Sequence, residues 1–283
     1  MRLGIAARLW SGVPFTVAAG QAAEAGYQGV EGVGDLARDP RLARRVLRDA
    51  GLTVTGGAYA ANWFSNVYRE IELDQIRRAA EFYAGLDCRH LITASLQVPE
   101  RLASAGHFPT GRNDGLLDEQ WGYLADSLGL AAYLCRREFD LTLHFRNQPG
   151  SYVETGDELD QLAALTDPSS VLLAPDTGYL FYAGVDPVAF VKRHRARIHY
   201  LTLKDVDGRL RDEHLAKRGD FETFVQQGGF CELGTGDVEL DAVVEALRAA
   251  PFDGWLVVDQ DHTSREPVAS AQISRDYLAG LGL

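Results

Sequence analysis

The chain has 283 residues, of which 46% are hydrophobic and 24% charged, and its formal net charge at pH 7 is −12. That length suits one α/β barrel, and a chain of this size can bury a large core. The acidic balance argues against a nucleic-acid partner, because such proteins need a basic surface. No apolar stretch is long enough to span a membrane, so we expect no membrane association.

The cysteines and the N-terminus indicate the cellular setting. Cys88, Cys135 and Cys231 are widely spaced and form no CxxC pair. We therefore expect no disulfide framework and a reducing, cytoplasmic environment. The opening MRLGIAARLW lacks the charged and apolar regions of a signal peptide, so none is expected.

Apolar runs alternate with helical patterns along the chain. The runs predict strands over residues 3–7, 27–31, 52–55, 90–93, 140–144, 171–174, 198–203 and 254–258. The helical patterns cover residues 16–26, 39–47, 70–86, 118–137, 155–165, 240–249 and 266–278, and a further helix starts at 186–187. Pro40 and Pro187 are each expected at the first position of a helix, and Gly51 is expected to cap the C-terminus of one. Thr155 and Glu158 have the spacing of a capping box.

Eight strands that alternate with eight helices favour a single (β/α)₈ TIM barrel spanning residues 1–283. A doubly wound open sheet is the alternative, but no GxGxxG motif follows the first strand. Two segments interrupt the alternation, a long loop at about 97–117 and a polar, partly helical insertion at about 206–232. Both are expected over the mouth of the barrel.

Polar and aromatic side chains stand at or near the ends of the predicted strands, where a TIM barrel places its active site. They are Trp10, Glu31, Tyr59, His144, Glu154, Asp176, Tyr200, Thr202, Lys204 and Asp259. Charged groups at the ends of buried strands cost free energy unless they are paired or bind a ligand. Together they predict a polar pocket at the barrel mouth.

The chain resembles the xylose-isomerase-like barrels of the sugar isomerase/epimerase group, and among them most closely the inosose dehydratases. The resemblance runs from near Gly4 to the last helix. It depends on AGYQGVEGVGD, DPRLARRVLRDAGLTVTGGAY, YVETGDELDQL, APDTGYLFYAGVDPVAFVKRHRARIHYLTLKDV, ELGTGDVELDAVV and GWLVVDQD. It implies an enzyme with a divalent metal at the barrel mouth, bound by two Glu, one Asp and one His.

Carried over residue by residue, the resemblance assigns metal-binding positions to Glu154, Asp176 and Asp259, and the position of the family's histidine to Thr202. Several family residues are replaced here. Tyr179 and Tyr200 also stand where the family has histidine, Asp259 replaces glutamate, and Arg146 stands where the family often has histidine.

Imidazole favours Mn, Co and Zn, whereas the oxygen-only set of Glu154, Asp176 and Asp259 suits Mg or Ca. His262 is a nearby substitute for the missing imidazole, whereas His199 is expected to point toward the helices by strand alternation. Arg146 and Lys204 are an alternative source of positive charge for the carboxylates. The sequence therefore leaves open one divalent metal (Mg, Mn or Co) or none.

The expected reaction is isomerisation, epimerisation or dehydration of a keto-sugar, inosose or similar polyol by proton abstraction next to a carbonyl. The expected catalytic residues are His144, Glu154, Asp176 and Lys204. The expected substrate-binding residues are Trp10, Glu31, Tyr59, Arg146, Tyr179, Tyr200 and Thr202.

Two other functions are known for, or compatible with, a barrel of this kind. The first is a non-catalytic ligand-binding barrel that has lost the metal histidines. The second is an abasic-site nuclease, which shares the fold but needs a histidine-rich zinc cluster and a basic face. This acidic chain has neither feature. The oligomeric state, including a homo-oligomer, is left open.

Overall fold

The computed structural model describes residues 1–107 and 115–283. Eight parallel strands form the barrel, in the spatial order β6-β5-β4-β3-β2-β1-β10-β7. They are β1 (Arg2–Ala6), β2 (Gly29–Glu31), β3 (Thr53–Ala61), β4 (His90–Ser95), β5 (Thr142–Phe145), β6 (Val171–Leu173), β7 (Tyr200–Leu203) and β10 (Trp255–Val258). Parallel bridges between Leu173 and Ile198 and between Asp176 and Thr202 nearly close it. The predicted TIM barrel is confirmed.

Helices surround the barrel and also cover its mouth. The α-helices are α1 (Phe15–Glu24), α2 (Pro40–Ala50), α3 (Arg69–Ala84), α4 (Pro99–Leu102), α5 (Asp118–Phe139), α6 (Gly156–Leu165), α7 (Thr177–Tyr182), α8 (Pro187–His194), α9 (Gly208–Ala216), α10 (Phe221–Gln226), α11 (Leu240–Arg248) and α12 (Pro267–Gly280). Three single-turn 3₁₀ helices span Ala7–Trp10, Gly34–Leu36 and Arg195–Arg197. The part of the chain that the structure describes thus has two short helices, α4 and α7, beyond those predicted, while α9 and α10 lie in the insertion that was predicted to be partly helical. No helix in residues 1–107 and 115–283 is long and apolar enough to cross a membrane.

The predicted helix boundaries follow from local capping. The Asp186 carboxylate accepts hydrogen bonds from the backbone N–H groups of Val188 and Ala189, with Pro187 at the first helical position of α8. Thr155 and Glu158 form the capping box of α6. These contacts satisfy N–H groups that have no partner within a helix.

The strands are buried on both sides, which explains their continuous apolar runs. A small cluster fills the barrel interior, while a larger core lies between the strands and the helices. The interior cluster consists of Ala6, Ile92, Ala174, Tyr200, Trp255 and Val257. His199 is exposed between buried neighbours, as alternation predicts. Strand β3 is longer than predicted because it pairs with β4 as far as Ala61 and Ser95.

The 206–232 insertion contains α9 and α10 and ends in a short antiparallel ladder of β8 (Asp205–Val206) with β9 (Phe230–Cys231). The carboxylate of Asp205 organises this segment, because it accepts hydrogen bonds from four backbone N–H groups. The donors are Val206, Gly234, Gly236 and Val238. The other predicted segment, 97–117, begins with α4, and its residues 108–114 lie outside the described residues.

Candidate active site

A cavity of about 590 Å³ opens beside the C-terminal ends of β1, β2 and β3. Its wall includes Arg8, Trp10, Phe15, Glu31, Ala58 and Tyr83. Of the residues predicted from the sequence, Trp10 and Glu31 therefore face this cavity. The Trp10 ring is fixed by a hydrogen bond that its Nε1 donates to Gln21, at 2.6 Å. The cavity has the position and size of a small-molecule site.

Glu31 and Arg146 form a buried, two-pronged ion pair at this end of the barrel. The two guanidinium nitrogens of Arg146 donate to the two Glu31 oxygens at 2.8 and 2.5 Å. The Tyr200 hydroxyl donates to Glu31 at 2.7 Å and lies 2.8 Å from the Thr55 hydroxyl. Burial by itself would raise the pKa of Glu31, but the Arg146 charge outweighs burial and the pKa is lowered. Glu31 is therefore ionised at neutral pH.

The ammonium of Lys204 lies among three carboxylates, and we call Lys204, Asp176, Asp259 and Asp261 the lysine cluster. Lys204 Nζ lies 3.4 Å from Asp176 and 3.2 Å from Asp259, and it also donates to Asp261. Burial lowers the pKa of Lys204, but the carboxylates outweigh it and the net shift is upward. Lys204 is therefore fully buried and charged at neutral pH.

Arg8 connects the cavity to the lysine cluster. Its Nε lies 3.2 Å from Asp259, and its Nη1 donates to Asp261 at 2.5 Å. Its side chain is 42% exposed, whereas those of Lys204 and Asp259 are 0% and 1% exposed. Burial would raise the pKa of Asp261, but Lys204 and Arg8 lower it well below the ordinary value. Arg8 is thus the member of this ionic group that a molecule in the cavity meets first.

Arg8 and Asp261 were not predicted as site residues. Arg8 could have been found by its position, since it directly follows the predicted first strand at the end where a barrel places its active site. Asp261 follows Asp259 by two residues in the VVDQD segment, where a second carboxylate was visible in the sequence. Its contact with Arg8, 253 positions away, was not visible there.

Backbone contacts fix the position of Lys204. The Thr177 hydroxyl donates to the Lys204 carbonyl at 2.8 Å and accepts from the Lys204 N–H at 2.9 Å. These bonds tie the start of α7 to the end of β7. A side chain at position 178 would bring its Cβ within 2.6 Å of the Lys204 stem, so the glycine of the DTG motif leaves room for the lysine.

Asp176 has a structural contact as well as its ion pair. Its carboxylate caps α7 by accepting from the Tyr179 N–H at 3.0 Å, and its own N–H donates to Asn147 at 2.9 Å. Burial raises the pKa of Asp176 to about 6, with Lys204 opposing that shift and Asp259 adding to it. A carboxyl group with this pKa can exchange a proton near neutral pH.

Aromatic rings cover the lysine cluster. Lys204 Nζ lies 3.8 Å from the centre of the Tyr179 ring and 4.8 Å from that of Phe230. The Tyr179 hydroxyl also donates to Asp261 at 3.2 Å. Phe230 belongs to β9, at the end of the 206–232 insertion. The rings exclude water and strengthen the ionic contacts beneath them.

Glu154 is held separately from the lysine cluster. Its two carboxylate oxygens accept from the backbone N–H groups of Gly106 and Gly150, at 2.8 and 2.7 Å. Burial raises the pKa of Glu154 to about 7, and the two hydrogen bonds only partly oppose that shift. Within residues 1–107 and 115–283, neither Lys204 nor Arg8 forms an ion pair with Glu154.

His144 lies inside the barrel and is completely buried. Its Nε2 is 3.0 Å from Nδ1 of His90, and its ring centre is 5.8 Å from that of Tyr200. Burial, followed by the charge of His90, lowers the pKa of His144 well below its ordinary value. The ring is therefore neutral, and its described contacts are with other interior residues.

Two further predicted residues have different surroundings. Tyr59 turns toward the helix layer, where its hydroxyl donates to Glu72 of α3 at 2.6 Å, because alternation along β3 places it opposite the inward-facing positions. Thr202 is buried, and its Oγ1 has no hydrogen-bond partner among the described residues. The structure therefore places Tyr59 outside the cavity and Thr202 inside the barrel.

The predicted metal-binding residues do not fit a metal in this arrangement. No group of three or more His, Cys, Asp or Glu side chains in the described ranges is placed to hold one. Glu154 is bound by backbone N–H groups, while Asp176 and Asp259 contact Lys204. A divalent cation on these two aspartates would be repelled by an ammonium only 3.2–3.4 Å from their oxygens.

Known proteins share both the sequence pattern and the fold. Inosose dehydratase of Geobacillus kaustophilus (strain HTA426) is 29% identical over 264 residues, covering 90% of this chain and 83% of that protein. The structure of a probable 3-DHS dehydratase from Bacillus anthracis has a TM-score of 0.75 at 14% identity, covering 99% of each chain. The IolI protein with a bound zinc atom has a TM-score of 0.75 at 12% identity, covering 99% of this chain and 98% of that one.

These two structures share the fold at low sequence identity. The family model described as a xylose isomerase-like TIM barrel matches residues 19–281. The chain therefore belongs to the xylose isomerase-like TIM-barrel family.

Proposed function

We propose that this protein isomerises, epimerises or dehydrates a neutral keto-sugar or inosose by removing a proton next to its carbonyl group. Relatives named inosose dehydratase support an enzyme that modifies a sugar or a cyclic polyol. The observation that carries the proposal is the cavity whose wall includes Arg8 and Glu31, with the lysine cluster directly behind Arg8. Proton-accepting and charge-stabilising groups thus lie together at one end of the barrel.

The charges favour an uncharged substrate. The ionic groups of the mouth comprise three cations, Arg8, Arg146 and Lys204, and four carboxylates, Glu31, Asp176, Asp259 and Asp261. Each of these cations already contacts a carboxylate, and carboxylates are in excess. A phosphorylated sugar would add negative charge to this group, whereas hydroxyl groups can bind to carboxylates and guanidinium groups without that cost.

Asp176 is the candidate base and Lys204 the candidate electrophile. The Asp176 carboxylate takes the proton, the carbon–hydrogen bond breaks, and its electron pair moves onto the carbonyl oxygen to form an enolate. The ammonium of Lys204, 3.4 Å from Asp176, stabilises that oxygen. Reprotonation on the other face gives an epimer, reprotonation of the neighbouring carbon after proton transfer gives an isomer, and loss of a β-hydroxide gives a dehydrated product.

Access to these groups requires Arg8 to move. Asp176 and Lys204 are fully buried, and Arg8 separates the cavity from the cluster. A substrate whose ring lies along Trp10 would displace the half-exposed Arg8 side chain from Asp259 and Asp261. Arg8 could then bind a substrate oxygen in place of the carboxylates.

A non-catalytic binding barrel is the second candidate, and complete ion pairing favours it. Glu31 is held by Arg146 at both oxygens, and its lowered pKa makes it a weak base. His144, expected from the sequence as an acid or base, pairs with His90 inside the barrel. These groups could shape a binding pocket without any turnover.

Exchange of substrate hydrogen for deuterium separates the two candidates. We expect the protein in D₂O to replace the hydrogen next to the carbonyl of an inosose or a neutral ketohexose with deuterium. The loss of that hydrogen's signal in the proton NMR spectrum measures the rate of exchange. Asp176→Asn should slow exchange by about 10²–10⁴-fold, because general-base catalysis contributes that much. Asparagine also caps helices well, so α7 should persist.

Asp212→Asn, at an exposed position, is the matched control and should exchange at the wild-type rate. Calorimetric binding of the same compounds without exchange would support the binding barrel instead. Exchange that is unaffected by Asp176→Asn would remove Asp176 from the mechanism.

A further inference from the structure

The outer face of α5 carries a stripe of four exposed side chains, which we call the α5 stripe. Its members are Asp126, Leu130, Tyr133 and Arg137. At 3.6 residues per turn, these positions lie within about 60° of one another around the helix axis. Leu130 is 47% exposed and Tyr133 is 66% exposed. The middle of the helix therefore presents two apolar side chains to solvent, with an acidic residue before them and a basic residue after them.

The two charged side chains of the α5 stripe are free to contact another molecule. Among residues 1–107 and 115–283, the side chains of Asp126 and Arg137 form no hydrogen bond and no ion pair. The adjacent Glu138, by contrast, is paired with Arg77 of α3 at 3.0 Å. Positions 126 and 137 are about 16 Å apart along the helix, which is too far for them to pair within one chain.

We infer that the α5 stripe is the contact surface of a homodimer in which two copies of α5 lie antiparallel. A two-fold axis midway between positions 131 and 132 makes Leu130 of one chain face Tyr133 of the other. The same axis makes Asp126 of one chain face Arg137 of the other, and each contact occurs twice because of the symmetry. Both charged positions lie about 8 Å from the axis along the helix, so the opposite charges are level with each other.

Charge complementarity identifies both the partner and the orientation. A parallel contact between the same two faces would place aspartate against aspartate and arginine against arginine, and like charges oppose association. The antiparallel contact pairs every charge of the α5 stripe with an opposite one. It also keeps the two apolar side chains at the centre, where an interface excludes water best. A second copy of this chain therefore matches the stripe in both charge and polarity.

The size of the α5 stripe sets the expected strength of the dimer. Stable interfaces bury about 1,200–2,000 Å² in total, and smaller ones belong to reversible complexes. One helix face lies at the lower end of that range, so we expect a monomer–dimer equilibrium with a dissociation constant in the micromolar range. Among the described residues, the wall of the cavity includes none from α5. Dimerisation therefore leaves the cavity open.

Sedimentation velocity at several protein concentrations measures this equilibrium for the wild type, Leu130→Asp and Val17→Asp. We expect the wild type to shift from monomer to dimer as its concentration rises. Leu130→Asp should weaken dimerisation at least about tenfold, because it buries a charge against Tyr133. Val17 on α1 is 46% exposed, close to the 47% of Leu130, but lies outside the α5 stripe. Val17→Asp should therefore dimerise like the wild type.

Charge reversal tests the pairing itself. Asp126→Arg places two cations together at each end of the contact, and Arg137→Asp places two carboxylates together there. Each variant alone should dimerise at least about tenfold more weakly than the wild type. An equimolar mixture of the two variants should form a heterodimer, because every charge then faces an opposite one. The double variant Asp126→Arg/Arg137→Asp should recover dimerisation for the same reason.

Three results would overturn the inference. The first is a wild type that remains monomeric up to about 500 µM. The second is a dimer that Leu130→Asp and both charge reversals leave unchanged, since the contact would then lie elsewhere. The third is a pair of weakened single variants whose mixture and double variant both stay monomeric, since the two charges would then not face each other. Folding of each variant is checked by its Tm, and no readout uses activity, so these results stand apart from the test of the proposed function.

Discussion

Glu31 and Glu154 are both buried glutamates at the barrel mouth, yet their carboxylates have different hydrogen-bond donors. Glu31 is held by the Arg146 guanidinium, and its pKa is lowered despite burial. Glu154 is held by two backbone N–H groups, and burial raises its pKa to about 7. Even four backbone N–H groups leave the pKa of buried Asp205 raised. Backbone N–H groups thus hold Glu154 and Asp205 without a net lowering of their pKa values, whereas the full charge of Arg146 keeps Glu31 ionised.

The largest expected effect is from removing the cation beside Glu31. Arg146→Met leaves the buried Glu31 carboxylate with the Tyr200 hydroxyl as its hydrogen-bond donor among the described residues. Breaking a buried pair on one side costs about 3–5 kcal/mol. We expect the free energy of unfolding in urea to fall by that amount. The double variant Glu31→Gln/Arg146→Met should recover part of the loss, because it leaves no unpaired charge.

Arg77→Met is the matched control for this prediction. Arg77 makes the same two-pronged contact with Glu138, at 3.0 Å for both bonds, but on the surface. Its removal should change stability far less than Arg146→Met. Equal decreases in the free energy of unfolding for the two variants would show that burial does not determine how much the Glu31–Arg146 pair stabilises the protein.

The pH dependence of stability should identify Glu154. Its pKa is raised from 4.5 to about 7 in the folded protein, so between these values the unfolded chain holds fewer protons. Its stabilising contribution is complete below about pH 4.5 and is lost as the pH rises to about 7. The upper bound of that loss is about 3 kcal/mol, since each pKa unit corresponds to about 1.4 kcal/mol.

Glu154→Gln tests this by removing the titrating group. The free energy of unfolding of the wild type minus that of Glu154→Gln should fall by up to about 3 kcal/mol from pH 5 to pH 8. Glu245→Gln, at an exposed position, should show no such change relative to the wild type. Parallel pH profiles for the wild type and Glu154→Gln would contradict the raised pKa.

The smallest expected effect concerns the hydroxyl that supports Glu31. Tyr200→Phe removes a donor 2.7 Å from Glu31 and leaves Thr55 without its partner at 2.8 Å. We expect the free energy of unfolding in urea to fall by about 1.5–3 kcal/mol, as for a hydrogen bond to a charged group. Tyr182→Phe is the control, because that buried hydroxyl reaches the Ala105 carbonyl only at 3.5 Å. A larger loss in the control would mean that packing dominates over the hydroxyl contact.

Much of the candidate site could be located from the sequence, but its pairings could not. Strand alternation correctly turned His199 outward and Tyr200 inward. It gave no information about partners, so Glu154 was grouped with Asp176 and Asp259 although backbone N–H groups hold it. Tyr59 was assigned to the pocket because it follows the predicted β3, yet the longer observed strand directs it to Glu72.

The sequence by itself determined the barrel, because apolar runs, capping residues and turns act over a few neighbouring positions and report directly which segments are buried. Only the tertiary structure decided which charges meet. Lys204 reaches Asp261 across 57 positions of sequence, and Arg8 reaches it across 253. Such contacts depend on strand order and on the direction of each long side chain, and closure of the barrel brings them together where local sequence carries no signal.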